Sequence, residues 1–314
     1  MPLSKRTPDL ESLDLLVTIA DAGSIGRAAE RLGLSQPGAS LKVRALERRL
    51  GVAMLDRSTS GSQLTAAGSI VVGMARPLLA LAADLASGVA VLRGEQHDRL
   101  DVAASMTVAE YLLPEWLVAL HAELPETSVA LQVANSAAVE ELVRNHEAAI
   151  GFIEGMHAPR RLRSKRVCDD ELVVVVGSAH RWAKRARPIS AGELATTPLI
   201  LREEGSGTRE TLEQLMETHG GLARPALELA STTAIKAAVA TGGAPAVVSH
   251  LAVRHEVAEG RLVRVEVADL LLRRYFRAIW SAARPPKGSA SALMTLATRS
   301  GRRRSIGAAP TRMG

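Results

Sequence analysis

The chain has 314 residues, 47% of them apolar and only 2% aromatic, with a formal net charge of +6. That apolar share excludes a disordered chain and suits roughly two or three packed domains whose cores rest on Leu, Val and Ala. The charge does not itself identify a polyanionic partner, because residues 284–314 hold seven Lys and Arg and no acid, which leaves −1 for residues 1–283.

In chain order, MPLSKRTPDLESLD lacks the apolar core expected of a secretory signal. Leu10 to Ala22 carries Leu13, Leu16, Val17 and Ala20 at helical spacing, which predicts a covering helix. Residues 24–50, SIGRAAERLGLSQPGASLKVRALERRL, predict two further helices joined by a tight turn. Ala28 and Ala29 are small where the helices must cross, and Gly33 suits a turn with positive φ. Ser35 can cap the second helix, and Pro37 in its first turn costs no hydrogen bond. That helix carries Gln36, Ser40, Lys42 and Arg44, all able to bond bases or phosphates. Together these features form a helix-turn-helix pattern of the kind that reads the major groove of double-stranded DNA. In MLDRSTSGSQLT, two short apolar ends flank a Ser/Gly-rich tip, which predicts a β-wing with Arg57 at its base.

SIGRAAERLGLSQPGASLKVRALERRLGVAMLDR, followed by LTAAG, closely resembles the N-terminal domain of LysR-type transcriptional regulators. The turn, second helix, Leu-Glu, Leu-Gly, wing arginine and Leu-Thr-x-Ala-Gly occur in order. The resemblance implies a DNA-binding surface made of Ser35, Gln36, Pro37, Ser40, Lys42, Arg44 and Arg57. Leu16, Ile25 and Leu55 stand where such proteins usually have Phe, swaps that stay apolar and repack the interior. Leu41 and Ser60 stand where arginine is frequent, which removes phosphate or base contacts.

Thr65 can cap a helix over residues 66–92, in which only Arg76 and Asp84 are charged. It comes closest to a membrane span, but Arg76, Pro77 and Asp84 interrupt the ~18 apolar residues such a span needs. At 1.5 Å per residue it would reach about 40 Å, and its apolar surface needs a partner. The resemblance makes it the linker helix of a homodimer, with homotetramers formed through effector-domain contacts. Pro77 should kink it or break one bond, and Gly94 within GEQHD suits a hinge.

From Arg99 onward strands alternate with helices. LDVAAS, VALQVA and AAIGFIE read as strands, with helices over VAEYLLPEWLVALHAEL and AAVEELVRNH. ELVVVVGS, PLIL, a helix from Thr208, LELA, TTAIKAAVAT and APAVVS repeat the theme. The fold class is therefore α/β: a winged helix-turn-helix, a long linker helix, and a two-lobed effector domain resembling periplasmic solute-binding proteins. The expected boundaries are 1–65, 66–94, 95–290 and a helix end with a disordered basic tail over 291–314. Lobe one is expected near 99–155 plus 266–290, and lobe two near 160–262.

Ligands in such clefts sit at strand ends and helix N-termini, where free N–H groups attract anions. Three places fit: Ser105 and Thr107, Gly205 to Thr208, and Ser231 to Thr233. The resemblance maps effector contacts to Ser105, Thr107, Ser206 and Thr232, with Glu154 at the crossover and Arg202 at the lip of lobe two. Arg202 suits a bidentate clamp on a carboxylate or oxyanion. TGGAPAV departs from the usual Gly-x-Gly pattern, since Ala244 replaces the second glycine and Pro245 removes an N–H.

Catalysis, cofactors and metals find no support. The eight histidines are scattered without HExxH, EGSGTRE lacks a phosphate-loop ending, and no GxSxG elbow occurs. His250 and His255 fall on a helix expected to be solvated. A single cysteine, Cys168, excludes an internal disulfide and suits a reducing, cytoplasmic setting. The expected partners are double-stranded DNA, a small-molecule effector and further copies of the chain, with no membrane. Two rivals remain: a solute-binding protein, which would need a secretory signal and no DNA reader, and a DNA-binding regulator whose effector domain is vestigial.

Overall fold

The computed structural model describes residues 4, 6–58, 61–92 and 99–307, in two units that divide between Gln96 and His97. The hinge expected at Gly94, the wing-tip residue Ser60 and tail residues 308–314 lie outside the described residues.

In the first unit, α1 (Leu10–Ala22) begins at Asp9, whose carboxylate accepts from the Ser12 N–H at 2.8 Å. It ends at Gly23, where φ is +67°. Helix α2 (Ile25–Arg31) crosses it closely because Ala28 and Ala29 are buried and offer only a methyl group. Gly33 turns the chain with φ +65°, and the Leu34 N–H reaches back to the Ala29 carbonyl at 2.8 Å. Helix α3 (Gln36–Leu50) then starts at Ser35, which accepts from the Gly38 N–H at 3.2 Å, with Pro37 in its first turn. Ala39, Val43 and Leu46 face inward. The apolar replacements Leu16 and Leu55 are buried in this core, and Ile25 packs against it.

The wing is a hairpin of β1 (Leu55–Ser58) and β2 (Gly61–Leu64), with Leu55 opposite Leu64. Glu47 of α3 holds its base by accepting from the N–H groups of Met54 at 2.8 Å and Leu55 at 3.2 Å. Thr65 accepts from the Gly68 N–H at 2.9 Å and donates to the Ala53 carbonyl at 2.8 Å, so it starts α4 (Ala66–Leu92) and ties it to the wing. Pro77 lies inside α4. Val72 and Ala75 are buried against α1, while Ile70, Met74, Leu78, Leu81 and Leu85 stay exposed at spacings of three or four.

The second unit holds β3 (Arg99–Ser105), α5 (Met106–Tyr111), α6 (Leu113–Glu123), β4 (Ser128–Ala134), α7 (Ser136–Arg144) and β5 (Ile150–Gly155). The single helix expected over VAEYLLPEWLVALHAEL is two. The chain breaks at Leu112, with φ −125°, because Pro114 in the first turn of α6 has no N–H to continue the ladder. The long β6 (Arg163–Gly177) follows, then α8 (Ala191–Thr196), β7 (Ile200–Leu201), α9 (Gly207–Met216), β8 (Leu227–Glu228) and α10 (Thr232–Ala240). Next come β9 (Ala246–Ser249), α11 (His250–Ala258), β10 (Leu262–Val265), β11 (Arg273–Trp280) and α12 (Gly288–Gly307).

Strands run in the order β4-β3-β5-β11-β6-β9-β7-β8, with β10 also on β6. The pairs β3–β4, β3–β5, β7–β8 and β7–β9 are parallel, and β11 is antiparallel to both β5 and β6. Strand β6 serves both lobes. Its residues 163–171 pair with β11, and its residues 172–177 pair with β9 or β10. This moves the expected boundaries: residues 163–171 lie in the sheet of lobe one, not lobe two. Residues 266–272 lie with lobe two, where Val267 bridges to Ile189 and Leu272 joins the core of Trp182 and Leu212. A sheet in which one strand is shared places the boundary within that strand, where no loop marks it.

Lobe one packs Trp116 against Phe152, with ring centroids 5.2 Å apart, and closes the core with Phe276 and Leu293. Leu293 comes from α12, which runs through Gly307, so residues 300–307 are helical rather than part of a disordered tail. Gly301 permits this packing. A Cβ there would lie 2.1 Å from the Val167 carbonyl oxygen.

Candidate functional site

On the first unit, the surface to consider is the outer face of α3. Ser35 spends its hydroxyl on the helix cap, while Gln36, Pro37 and Arg44 are exposed and Ser40 is half-buried. Gln36 lies over the start of α2, where a Cβ on Gly26 would stand 3.9 Å from the Gln36 Cδ. Leu41 is 63% exposed near the centre of that face, where arginine is frequent in the resembled proteins. Arg48 follows at helical spacing from Arg44 and donates to the Arg44 carbonyl at 3.4 Å. Sequence reasoning missed Arg48, although its place four residues after Arg44 marks it. Lys42 lies to one side and pairs with Glu11 of α1 at 2.8 Å. That hydrogen bond, with the Glu11 charge, holds the Lys42 pKa above the ordinary lysine value. Arg57 lies on β1 opposite Ser62, and its side chain lies outside the described residues.

On the second unit, several expected residues meet at one buried carboxylate. Glu154, at the end of β5, accepts from Ser105 Oγ at 2.8 Å and from Thr107 Oγ1 at 3.1 Å, both of lobe one. It also accepts from Thr208 Oγ1 at 3.3 Å, at the start of α9 in lobe two. Arg274 of β11 adds an ion pair to the same carboxylate at 3.2 Å. The Arg274 guanidinium also donates through Nε to Asp170 at 2.7 Å and through Nη1 to Thr208 at 2.7 Å. Ser249 donates to the other Asp170 oxygen at 2.8 Å. All these side chains are buried.

A buried cluster of this kind carries strong electrostatics because little solvent screens it. Burial pushes the Asp170 carboxyl up, against the opposing Arg274 charge. Burial also works against the Arg274 charge, yet Glu154 and Asp170 beside it hold its pKa above the ordinary arginine value. Two buried polar atoms in this region have no hydrogen-bond partner: Ser206 Oγ and Arg274 Nη2. The start of α9 is pressed onto the Glu154 backbone. A Cβ on Gly207 would lie 2.1 Å from the Glu154 carbonyl oxygen. Alongside, the Asn135 amide donates to the Glu204 carbonyl at 3.1 Å, and the Ala137 N–H donates to the Gly205 carbonyl at 3.1 Å.

The structure thus brings Ser105, Thr107 and Glu154 together, with Ser206 buried at the start of α9. It does not bring in Arg202, whose fork already binds Glu203 at 2.8 and 2.9 Å. Thr232 is buried in the first turn of α10 and is not hydrogen-bonded to the Glu154 cluster; Ser231 caps that helix at 3.3 Å. Thr208 falls within the expected Gly205 to Thr208 stretch, whereas Arg274, Asp170 and Ser249 were missed. The signal for Arg274 lies in RRYFRAIW, where inward Phe276 and Ala278 alternate with it and so place a cation on the core face.

A groove of about 810 Å³ lies between α11, β6 and residues 264–273. It is lined by Asp170, His250, Arg254, Arg264, Glu266 and Leu271 among others, and by none of the expected hydroxyls. Among the described residues, no group of three His, Cys, Asp or Glu suits a metal ion, and no helix is long and apolar enough to cross a membrane.

Comparison with known proteins covers both units. A family model described as "Bacterial regulatory helix-turn-helix protein, lysR family" matches residues 10–69. Another, "LysR substrate binding domain", matches residues 93–302. The chain is 43% identical over 307 residues to the HTH-type transcriptional regulator Rv2282c of Mycobacterium tuberculosis, covering 94% of this chain and 98% of that one. Among solved structures, a full-length OxyR variant from Pseudomonas aeruginosa aligns over 93% of this chain and 95% of its own, at 25% identity and a TM-score of 0.69. The CcmR regulatory domain of Synechocystis PCC6803, in complex with 2-PG, aligns over 66% of this chain and 98% of its own, at 25% identity and a TM-score of 0.60.

Proposed function

The chain belongs to the LysR family of bacterial transcriptional regulators, and from that premise we propose how its DNA-binding and effector-binding halves work. It is a DNA-binding regulator of transcription and not an enzyme. In the proposed reading, α3 enters the major groove with Gln36, Pro37, Ser40, Lys42 and Arg44, Ser35 fixes its start, and Arg57 holds the backbone. The exposed seam of Ile70, Met74, Leu78, Leu81 and Leu85 on α4 joins two copies, since an apolar stripe of that length is costly in water. Two such dimers form a tetramer that bends the intervening DNA. The protein acts in the cytoplasm, where its DNA is.

The effector is a small molecule, an anion or carboxylate, held between the lobes near Ser105, Thr107, Glu154 and Ser206, with Thr232 and, on release from Glu203, Arg202 as further contacts. One observation carries this reading: hydroxyls of both lobes converge on a single buried carboxylate, with Arg274 behind them. The similar CcmR domain in complex with 2-PG supports a small-molecule ligand. A ligand switches the regulator only by binding one lobe arrangement more tightly than another. A non-sensing regulator is the second reading, favoured by the fact that these hydroxyls already have an acceptor. Footprinting on DNA upstream of the chain's own gene, across a metabolite panel, separates the two. A changed footprint or bend supports sensing; identical footprint, bend and transcript level at saturating ligand would overturn it.

A further inference from the structure

The donors that an anionic effector would use are already occupied from within. Ser105, Thr107, Thr208 and Arg274 all point to the Glu154 carboxylate, at 2.8, 3.1, 3.3 and 3.2 Å. They come from lobe one and lobe two, so this one side chain bridges the lobes as a bound ligand would. We propose that Glu154 is a tethered ligand, a specificity-determining residue that fills the effector position and that an incoming carboxylate or small oxyanion must displace.

The inference rests on the effector-site reading above. Its physical basis is the tether. A carboxylate fixed to β5 meets these donors at an effective concentration far above that of a free anion. Charge adds a second barrier. A further anion beside the Glu154 carboxylate in the same low-dielectric space is repelled unless Glu154 leaves. The remaining donors show where the incomer would bind more than Glu154 does. Ser206 Oγ and Arg274 Nη2 are buried and unpartnered, and an effector with more acceptor oxygens than one carboxylate can pair with them. Such a molecule outcompetes Glu154 and draws on both lobes. Gly207 sets the geometry: with no Cβ, α9 sits close enough for Thr208 to reach the carboxylate.

The test uses acetate, which matches the atoms lost from the side chain in Glu154→Ala. Full-length wild type, Glu154→Ala and Glu154→Gln are titrated with sodium acetate by calorimetry, and DNA bending by each is measured with and without acetate. Glu154→Ala should bind acetate about 100-fold more tightly than wild type. Its DNA bend should differ from wild type without acetate and return to the wild-type value with it. Glu154→Gln keeps the side-chain shape and guards against misfolding of the alanine variant. Its neutral amide is the weaker competitor, so acetate affinity should rise about tenfold over wild type. Equal acetate affinity in all three proteins would overturn the tether. So would acetate binding by Glu154→Ala that leaves the bend unchanged, since Glu154 would then be a buried structural carboxylate. The underlying reading fails differently: acetate switches Glu154→Ala, but no metabolite changes the wild-type footprint.

Discussion

Arg274 and Asp170 form a fully buried ion pair, Nε to Oδ2 at 2.7 Å, that links β11 to β6 at the residues where β6 passes from one lobe to the other. Arg274 is 0% exposed and also serves Glu154 and Thr208. Removing it leaves two buried carboxylates without their cation. Arg274→Met should therefore destabilise the second unit by about 3–5 kcal/mol. Denaturant unfolding followed by tryptophan fluorescence measures this, and a loss below about 1 kcal/mol would show that the pair adds little beyond packing.

Gly207 is the contact point of α9 with β5, and a methyl group there meets the Glu154 carbonyl oxygen at 2.1 Å. Gly207→Ala should push the helix off the strand, cost about 1–3 kcal/mol and lengthen the Thr208 bond to Glu154. A crystal structure of the variant with α9 unmoved would contradict the close approach.

Gln36 and Lys42 occupy different sides of α3, and their loss should read differently. Gln36→Ala removes a base contact worth about 1–3 kcal/mol and relaxes specificity. Lys42→Ala should weaken binding on all sequences alike and lower the salt slope by about one. Operator titrations at several salt concentrations measure both. Unchanged affinity in both variants would refute the proposed docking of α3.

The exposed stripe on α4 predicts the oligomeric state. Met74→Asp with Leu81→Asp places two charges on the seam and should convert oligomers to monomers in sedimentation velocity. An unchanged distribution would place the dimer contact elsewhere.

His180 makes stability depend on pH. Its Nδ1 accepts from the Trp182 N–H at 3.2 Å, so the folded form needs a neutral ring. Burial, then the neighbouring Arg181 charge, lowers its pKa below the ordinary 6.5. The unfolded chain therefore takes up the proton first. Stability present above pH 6.5 is lost as pH falls through that value toward the folded pKa. His180→Asn keeps a capping acceptor without the titration, and its stability should fall less between pH 7.5 and 5.5 in urea melts. Parallel profiles would rule out His180 as the group responsible.

Much of the DNA-binding half was legible because its cues are local. Ser35 caps, Ala28 and Ala29 permit a close crossing, and Gly33 turns, all within reach of a few residues. Helix α12 beyond Ser300 was not legible, because its arginine-rich composition says nothing of the strand it packs on. Leu112 was missed because Pro114 acts two residues away from the break it causes.

The sequence by itself determined the helices of the winged unit, much of the strand–helix alternation after Arg99 and the hydroxyls that open the helices near the cleft, since capping and periodicity act over one or two turns. Only the tertiary structure decided what those hydroxyls do. Glu154 and Thr208 are 54 residues apart, Asp170 and Arg274 are 104 apart, and no local pattern announces such pairings. They follow from β6 being shared between two lobes, which brings β11, β5 and the start of α9 to one point. There the low dielectric leaves a buried carboxylate no choice but to find its partners within the protein.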